Sequence, residues 1–121
     1  MVEADGTLKI TDFGLAKIQS KGCGSTNLFC GTPEYISPEM IQDTGYDHCT
    51  DWWSLGIVIY FMLVGQSPFS HHNNEILFEN ILTQQVKWPR DINISKEAKS
   101  FVNQLLIKDQ FKRLGKNGDF K

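Results

Sequence analysis

The chain has 121 residues, of which 40% are hydrophobic and 21% are charged, and its formal net charge is -2 at pH 7. These values are those of one globular domain or part of one, and they argue against disorder over most of the length. The charges form no blocks of one sign, so neither nucleic acid nor an anionic membrane surface is implied as a partner.

The N-terminal residues predict a turn and a short strand. Asp5-Gly6 is a turn signal, and residues 8–11 alternate between apolar and polar side chains as a strand does. An Asp-Phe-Gly motif at residues 12–14 follows directly, and residues 15–18 could form a second short strand. The polar residues 19–27 contain two glycines and predict a mobile loop.

The middle of the chain predicts a compact turn followed by a central helix. Gly31 and Pro33 favour the turn, and Pro38 suits the first position of a helical turn. Residues 51–64 are apolar on nearly every side, which predicts a helix buried on most of its faces, and Gly65 is a residue that ends helices. The apolar run is too short to cross a membrane, which takes about 18 residues.

Two amphipathic helices are predicted after it. Asn73 or Asn74 can cap the first and Ser95 can cap the second. Each has one apolar stripe at helical spacing, formed by Leu77, Phe78, Ile81 and Leu82 in the first and by Ala98, Phe101, Val102, Leu105 and Leu106 in the second.

Several motifs in a fixed order resemble those of the eukaryotic protein kinases. Asp-Phe-Gly at 12–14, Gly-Thr-Pro-Glu-Tyr at 31–35 and Ser-Pro-Glu at 37–39 are similar to the kinase activation segment, which closes in Ala-Pro-Glu in this family. Residues 51–56 resemble the kinase DxWxxG motif. Asp109 with Arg113-Leu114-Gly115 is similar to the closing signature of AGC-type serine/threonine kinases, the group of the cyclic-nucleotide-dependent and Akt-like kinases.

The resemblance implies a mainly α fold, namely part of a protein kinase C-lobe spanning residues 1–121. Short β-strands would surround Asp-Phe-Gly, the activation segment would cover residues 12–39, and a helical bundle around the buried central helix would cover residues 40–115. The N-lobe and the catalytic loop are not represented in this sequence.

The resemblance also implies roles for single residues. Asp12, Phe13 and Gly14 would contact the ATP cofactor: Asp12 would bind Mg²⁺, Phe13 would pack beneath it, and Gly14 would allow a sharp backbone turn. The wall that docks the substrate would be formed by Gly31, Thr32, Pro33, Glu34 and Tyr35, with Thr32 hydrogen-bonding the catalytic base.

Structural roles are implied for the residues Glu39, Asp51, Trp53, Gly56 and Arg113. Glu39 and Arg113 would form a buried ion pair, and Asp51 would hold the central helix to the catalytic loop. Each charged residue has a simpler explanation: Asp12 could cap a turn, Glu39 could favour a helix start, and Arg113 could be a solvated surface charge.

The sequence departs from the family pattern at several points. It has no Gly-x-Gly-x-x-Gly loop, no Val-Ala-Ile-Lys strand and no His-Arg-Asp, so no catalytic base and no phosphate-binding lysine are expected in it. Leu28 stands where AGC kinases carry a phosphorylated threonine, and Ser25 or Thr26 could replace it. Phe61 stands where the members that prefer basic substrates have a glutamate.

These observations predict a fragment of an AGC-like serine/threonine protein kinase that is inactive alone. ATP and Mg²⁺ would serve the complete parent enzyme, and the chain by itself would bind them weakly or not at all. The expected partner is a protein substrate or a kinase-related protein, with neither nucleic acid nor membrane. The alternatives are a non-catalytic kinase-like interaction module, which an exposed apolar patch on the central helix would favour, or an incomplete gene product.

The cysteines and the N-terminus bear on the compartment. Cys23, Cys30 and Cys49 are an odd number at wide spacing, which predicts free thiols. Residues 1–5 have neither a basic flank nor an apolar stretch after it, so a cytoplasmic location is expected.

Overall fold

A computed structural model describes residues 1–16 and 32–116 of the chain, and this part is mainly helical, as predicted. Its α-helices are Pro38–Ile41 (α1), Cys49–Val64 (α2), Asn74–Thr83 (α3) and Lys96–Leu105 (α4). Two 3-10 turns, Phe13–Leu15 and Pro33–Tyr35, precede α1. The predicted loop at 19–27 lies outside the described residues, as does most of the predicted second strand.

The helix ends lie where the cap signals predict. The Asn73 side chain accepts hydrogen bonds from the backbone N–H groups of Glu75 and Ile76 at the start of α3. Ser95 Oγ accepts from the Ala98 N–H at 3.1 Å at the start of α4. Gly65 ends α2 in a left-handed conformation with φ of 85°. The capping predictions are therefore confirmed.

The core lies where α2, α3 and α4 meet. Trp53 of α2 is fully buried, and its ring stacks on Phe69 with centroids 5.7 Å apart. Gly56 brings α2 close to α4, because a Cβ there would lie 2.8 Å from the Leu106 side chain. The two helices therefore pack at a distance that only glycine permits at this position.

The opposite face of α2 carries exposed apolar side chains, namely Leu55, Val58, Phe61 and Met62. The last two are the most exposed, at 49% and 70%. The prediction that the helix is buried on most faces is thus only partly right, and the expected apolar patch is present. No helix within residues 1–16 and 32–116 is long and apolar enough to cross a membrane.

Residues 1–16 form a turn with a single β-bridge rather than a strand. Val2 and Leu8 make the bridge, and Asp5 Oδ1 accepts a hydrogen bond from the Thr7 N–H at 2.9 Å. The predicted turn at Asp5-Gly6 is confirmed, but the predicted strand at 8–11 is wrong. Its apolar side chains are exposed, and two paired segments with nothing to pack against do not make a stable sheet.

Candidate functional site

A buried ion pair joins α1 to the turn that follows α4. Arg113 Nη1 donates to Glu39 Oε1 at 2.6 Å, and Nη2 donates to Oε2 at 2.8 Å. The two side chains are 0% and 3% exposed. The structure thus brings together two residues that lie 74 positions apart in the sequence.

The Arg113 guanidinium has an acceptor for every one of its N–H groups. Besides Glu39, it donates from Nε to the Ile107 carbonyl at 3.0 Å, from Nη1 to the Cys49 carbonyl at 2.8 Å and from Nη2 to the Lys108 carbonyl at 3.2 Å. A lysine has only three donors and no planar fork, so it could not make this set of contacts.

The ion pair keeps Glu39 ionised. Burial raises the pKa of the Glu39 carboxyl group, but the hydrogen bonds and the positive charge of Arg113 lower it more. The net effect is a pKa below the usual value for glutamate. Glu39 therefore remains ionised and balances the buried positive charge of Arg113.

The described part of the predicted substrate wall is fixed to the helical core. Thr32 is exposed and precedes the 3-10 turn Pro33–Tyr35. Ser54 Oγ of α2 donates to the Tyr35 carbonyl at 3.0 Å, and Ser70 Oγ donates to Glu34 Oε1 at 3.0 Å. Both bonds tie the wall to α2 and to the loop after it.

Several predicted positions of this segment lie outside the described residues. They are Gly31 of the wall, Leu28 with its possible substitutes Ser25 and Thr26, and the thiols Cys23 and Cys30.

The Asp-Phe-Gly motif is exposed and differs from the expectation in two ways. Phe13 is expected to pack beneath the metal ligand, but it is 69% exposed. The sharp turn occurs at Asp12, whose φ is 65°, and not at Gly14, which lies in a 3-10 turn. Aspartate tolerates the left-handed conformation better than most residues do.

Asp12 offers one oxygen ligand of the kind that Mg²⁺ prefers. Within the described residues it belongs to no group of three or more ligating side chains. Asp12 therefore suits one position in the coordination sphere of Mg²⁺, and the described residues do not form a complete Mg²⁺ site around it.

The described residues do contain one such group, Asp47, His48 and Cys49, whose ligand atoms lie within 4.8 Å of one another. Sequence reasoning missed it, although the three residues are consecutive. Asp47 already pairs with Lys116 Nζ at 2.5 Å and accepts the Cys49 N–H at 2.8 Å.

Burial and hydrogen bonds shift the pKa values of Asp47 and Cys49 in opposite directions. Burial, followed by the adjacent Asp47 carboxylate, raises the pKa of the Cys49 thiol to about 11. Burial raises the pKa of Asp47, but the bonds from Lys116 and Cys49 outweigh it and lower that pKa to about 2. Cys49 is a free buried thiol, as predicted for it, and Asp47 joins the start of α2 to Lys116.

The remaining predicted residues lie on α2. Trp53 and Gly56 form the contacts with the core and with α4 described above, and Asp51 is exposed in the first helical turn. A carboxylate at that position is stabilised by the N-terminal end of the helix dipole.

Sequence reasoning also missed a contact between two of the motifs. Gly115 has φ of 94°, and a Cβ on it would lie 2.4 Å from the Trp52 ring. The paired tryptophans and the Arg-Leu-Gly signature therefore contact each other directly. The presence of both motifs in the sequence was the one signal that could have predicted this contact.

Comparison with known proteins agrees with this arrangement. A family model described as the protein kinase domain matches residues 1–118. RAC-beta serine/threonine-protein kinase from Homo sapiens is 46% identical over 115 residues, which cover 95% of this chain and 24% of that protein. RAC-beta serine/threonine-protein kinase A from Xenopus laevis is also 46% identical over 115 residues, covering 95% of this chain and 23% of that protein.

The chain thus spans about a quarter of the length of the curated relatives it matches. The match includes the activation-segment motifs, the central helix and the Arg-Leu-Gly signature, with the ion pair between the first and the last of these formed. The chain therefore belongs to the protein kinase domain family, with the motifs of its AGC-type serine/threonine kinases.

Proposed function

We propose that the chain is the C-lobe part of a serine/threonine protein kinase that transfers the γ-phosphoryl group of ATP to a protein hydroxyl group. The observation that carries the proposal is the buried Glu39–Arg113 pair, which joins the end of the activation segment (residues 12–39) to the helical lobe (residues 40–115). In an enzyme that works mainly by positioning and charge stabilisation, such an anchor holds the substrate wall in place.

The roles of the other residues follow from this proposal. Asp12 would hold Mg²⁺ on the ATP phosphates in the complete enzyme, and residues 31–35 would receive the protein substrate. Because the sequence contains no His-Arg-Asp and no Val-Ala-Ile-Lys, the 121 residues alone would transfer no phosphate. A cytoplasmic location, where ATP is available, is part of this proposal.

The first test uses the chain as it is. Incubated with Mg²⁺, labelled ATP and a generic serine peptide, the purified chain should transfer no label above background. Transfer that persists through a second purification and is lost in Asp12→Ala would contradict the proposal.

The second test reads the coding DNA upstream of Met1, in frame, for His-Arg-Asp-x-x-x-x-Asn and Val-Ala-Ile-Lys. An extended protein that contains them should phosphorylate serine or threonine peptides, and Asp12→Ala should abolish this activity. Asp91→Ala, which removes another exposed carboxylate, should leave the activity unchanged. An extended protein that is equally active with Asp12→Ala would refute the assigned role of Asp12.

A second function is favoured by the exposed apolar face of α2, defined by Leu55, Val58, Phe61 and Met62. Such a face is typical of a surface that contacts another protein. On this alternative the chain is a non-catalytic kinase-like module that binds a kinase, a substrate or a scaffold.

The alternative is tested by affinity capture with the folded chain and with Phe61→Glu. A module should enrich one specific protein, and the charged variant should lose it. Glu79→Lys, an exposed substitution on α3, is the matched control and should retain it. Capture of no specific protein, or binding of Mg²⁺-ATP by the chain with the affinity of an ordinary kinase, would contradict the alternative.

A further inference from the structure

Two hydroxyl groups lie beside the buried Glu39 carboxylate. Thr50 Oγ1, in the first turn of α2, donates to Glu39 Oε1 at 3.2 Å. Ser37 Oγ lies 3.5 Å from Thr50 Oγ1, and the Ser37 residue is 0% exposed. Glu39 Oε1 therefore accepts from the Thr50 hydroxyl as well as from Arg113 Nη1.

The direction of these hydrogen bonds is set by the charges. A carboxylate only accepts, so Thr50 must use its single proton on Glu39. The lone pairs of Thr50 Oγ1 are then available to the Ser37 hydroxyl, which donates in turn. The result is a polarised series in which Ser37 donates to Thr50, Thr50 donates to Glu39, and Glu39 is neutralised by Arg113.

Ser37 is also the position at which the closing motif departs from Ala-Pro-Glu. A buried hydroxyl group destabilises a protein unless it finds a hydrogen-bond partner, so serine in this place needs one. Thr50 supplies one from a different helix, 13 positions away. A hydrogen bond from the Ser37 side chain to Glu39 also lowers the pKa of that carboxyl group, so the Ser37 hydroxyl lies between two acceptors.

We propose that Ser37 and Thr50 are positioning residues that act as a coupled pair on Glu39, holding its carboxylate toward Arg113. The pair adds a second link from this anchor to the start of α2, beside the bond from Arg113 to the Cys49 carbonyl. The proposal concerns the folding of these residues and does not depend on phosphoryl transfer.

The test is a double-mutant cycle on the 121-residue chain, followed by urea unfolding. Thr50→Val keeps the shape and removes the hydroxyl, and with it the bond to Glu39 and the acceptor of Ser37 on α2, and should raise the unfolding equilibrium constant by about tenfold. Adding Ser37→Ala removes the other hydroxyl of the pair. The unfolding equilibrium constant of the double variant should therefore be at least about threefold smaller than the value expected from multiplying the two single-variant increases. Strictly additive losses would overturn the coupling.

Acid unfolding separates positioning from packing. The folded-state pKa of Glu39 lies below its unfolded value, so its contribution is present at neutral pH and lost as the pH falls through the folded-state pKa. Thr50→Val should raise that pKa and move the acid-unfolding midpoint to higher pH. Thr50→Ser keeps the hydroxyl and should restore the midpoint.

Thr83→Val is the matched control, because the Thr83 hydroxyl donates to the Glu79 carbonyl on the exposed side of α3. It should leave the acid midpoint unchanged. If Thr50→Val does not fold, Ser37→Ala decides: a midpoint at higher pH supports the action of Ser37 on Glu39, and an unchanged midpoint overturns it.

Discussion

Replacing Glu39 by glutamine should destabilise the chain strongly. Glu39→Gln keeps one acceptor oxygen but places an amide NH₂ where Oε2 now accepts from Arg113 Nη2 at 2.8 Å. Two donors then face each other, and the buried guanidinium loses its counter-charge. Breaking one partner of a buried ion pair costs about 3–5 kcal/mol.

The hydrogen bonds that Arg113 keeps in the variant determine where in that range the loss of unfolding free energy should lie. Three backbone carbonyls, those of Cys49, Ile107 and Lys108, still accept from Arg113 in the variant. We therefore expect the lower end, about 3 kcal/mol. With an m-value of about 2 kcal/mol per molar urea, the unfolding midpoint should fall by about 1.5 M.

The assay is equilibrium urea unfolding followed by far-UV circular dichroism and by tryptophan fluorescence, to which the buried Trp53 contributes. Lys112→Gln is the control, because Lys112 forms an exposed ion pair with Asp109 at 3.2 Å close to the site in sequence. It should leave the midpoint unchanged.

Two outcomes would refute the reasoning. One is a midpoint for Glu39→Gln that equals that of the original chain. The other is a double variant, Glu39→Met with Arg113→Met, that is less stable than both single methionine variants. Two apolar side chains of similar size should tolerate this site better than one unpaired charge does.

Three further predictions concern the packing of two glycines and a partly buried lysine. Gly115→Ala should lower the free energy of unfolding by about 1–3 kcal/mol, because the new Cβ would lie 2.4 Å from the Trp52 ring and the backbone φ is 94°. An unchanged urea midpoint would contradict the contact. Gly56→Val should push α2 away from α4 and lower the thermal midpoint more than Gly65→Ala does, since nothing lies within 4 Å of a Cβ at Gly65. Burial, and then the charge of Arg113, lower the pKa of Lys108 to about 8. The free energy of unfolding should therefore rise between pH 8 and 9, because the unfolded state still holds a proton that the folded state has lost. Lys108→Met should flatten this rise in the urea midpoints, and a slope of the original size in the variant would contradict the prediction.

The helices and their caps could be predicted from the sequence, because the signals are local. An asparagine or serine that accepts from the next turn, and a glycine that ends a helix, are decided within a few residues. Asn73, Ser95 and Gly65 behave in this way. The partners Glu39 and Arg113 could be named only by resemblance to the kinase motifs, since 74 residues separate them.

The rest depended on tertiary contacts that a pattern of residues does not contain. The alternation at residues 8–11 predicts a strand, but a strand needs neighbours, and the described residues provide one β-bridge. The contact of Trp52 with Gly115, and the hydroxyl groups of Ser37 and Thr50, involve residues whose types suit many environments. Only their positions in space give them a specific role.

The separation of Glu39 and Arg113 along the chain also has a kinetic consequence. Their ion pair closes a loop of 74 residues, so it can form only after most of the intervening helices have found each other. Interactions that form after the folding transition state affect the unfolding rate much more than the folding rate. The pair should therefore slow the unfolding of the described core, and the loss measured for Glu39→Gln should appear mainly as faster unfolding in stopped-flow experiments.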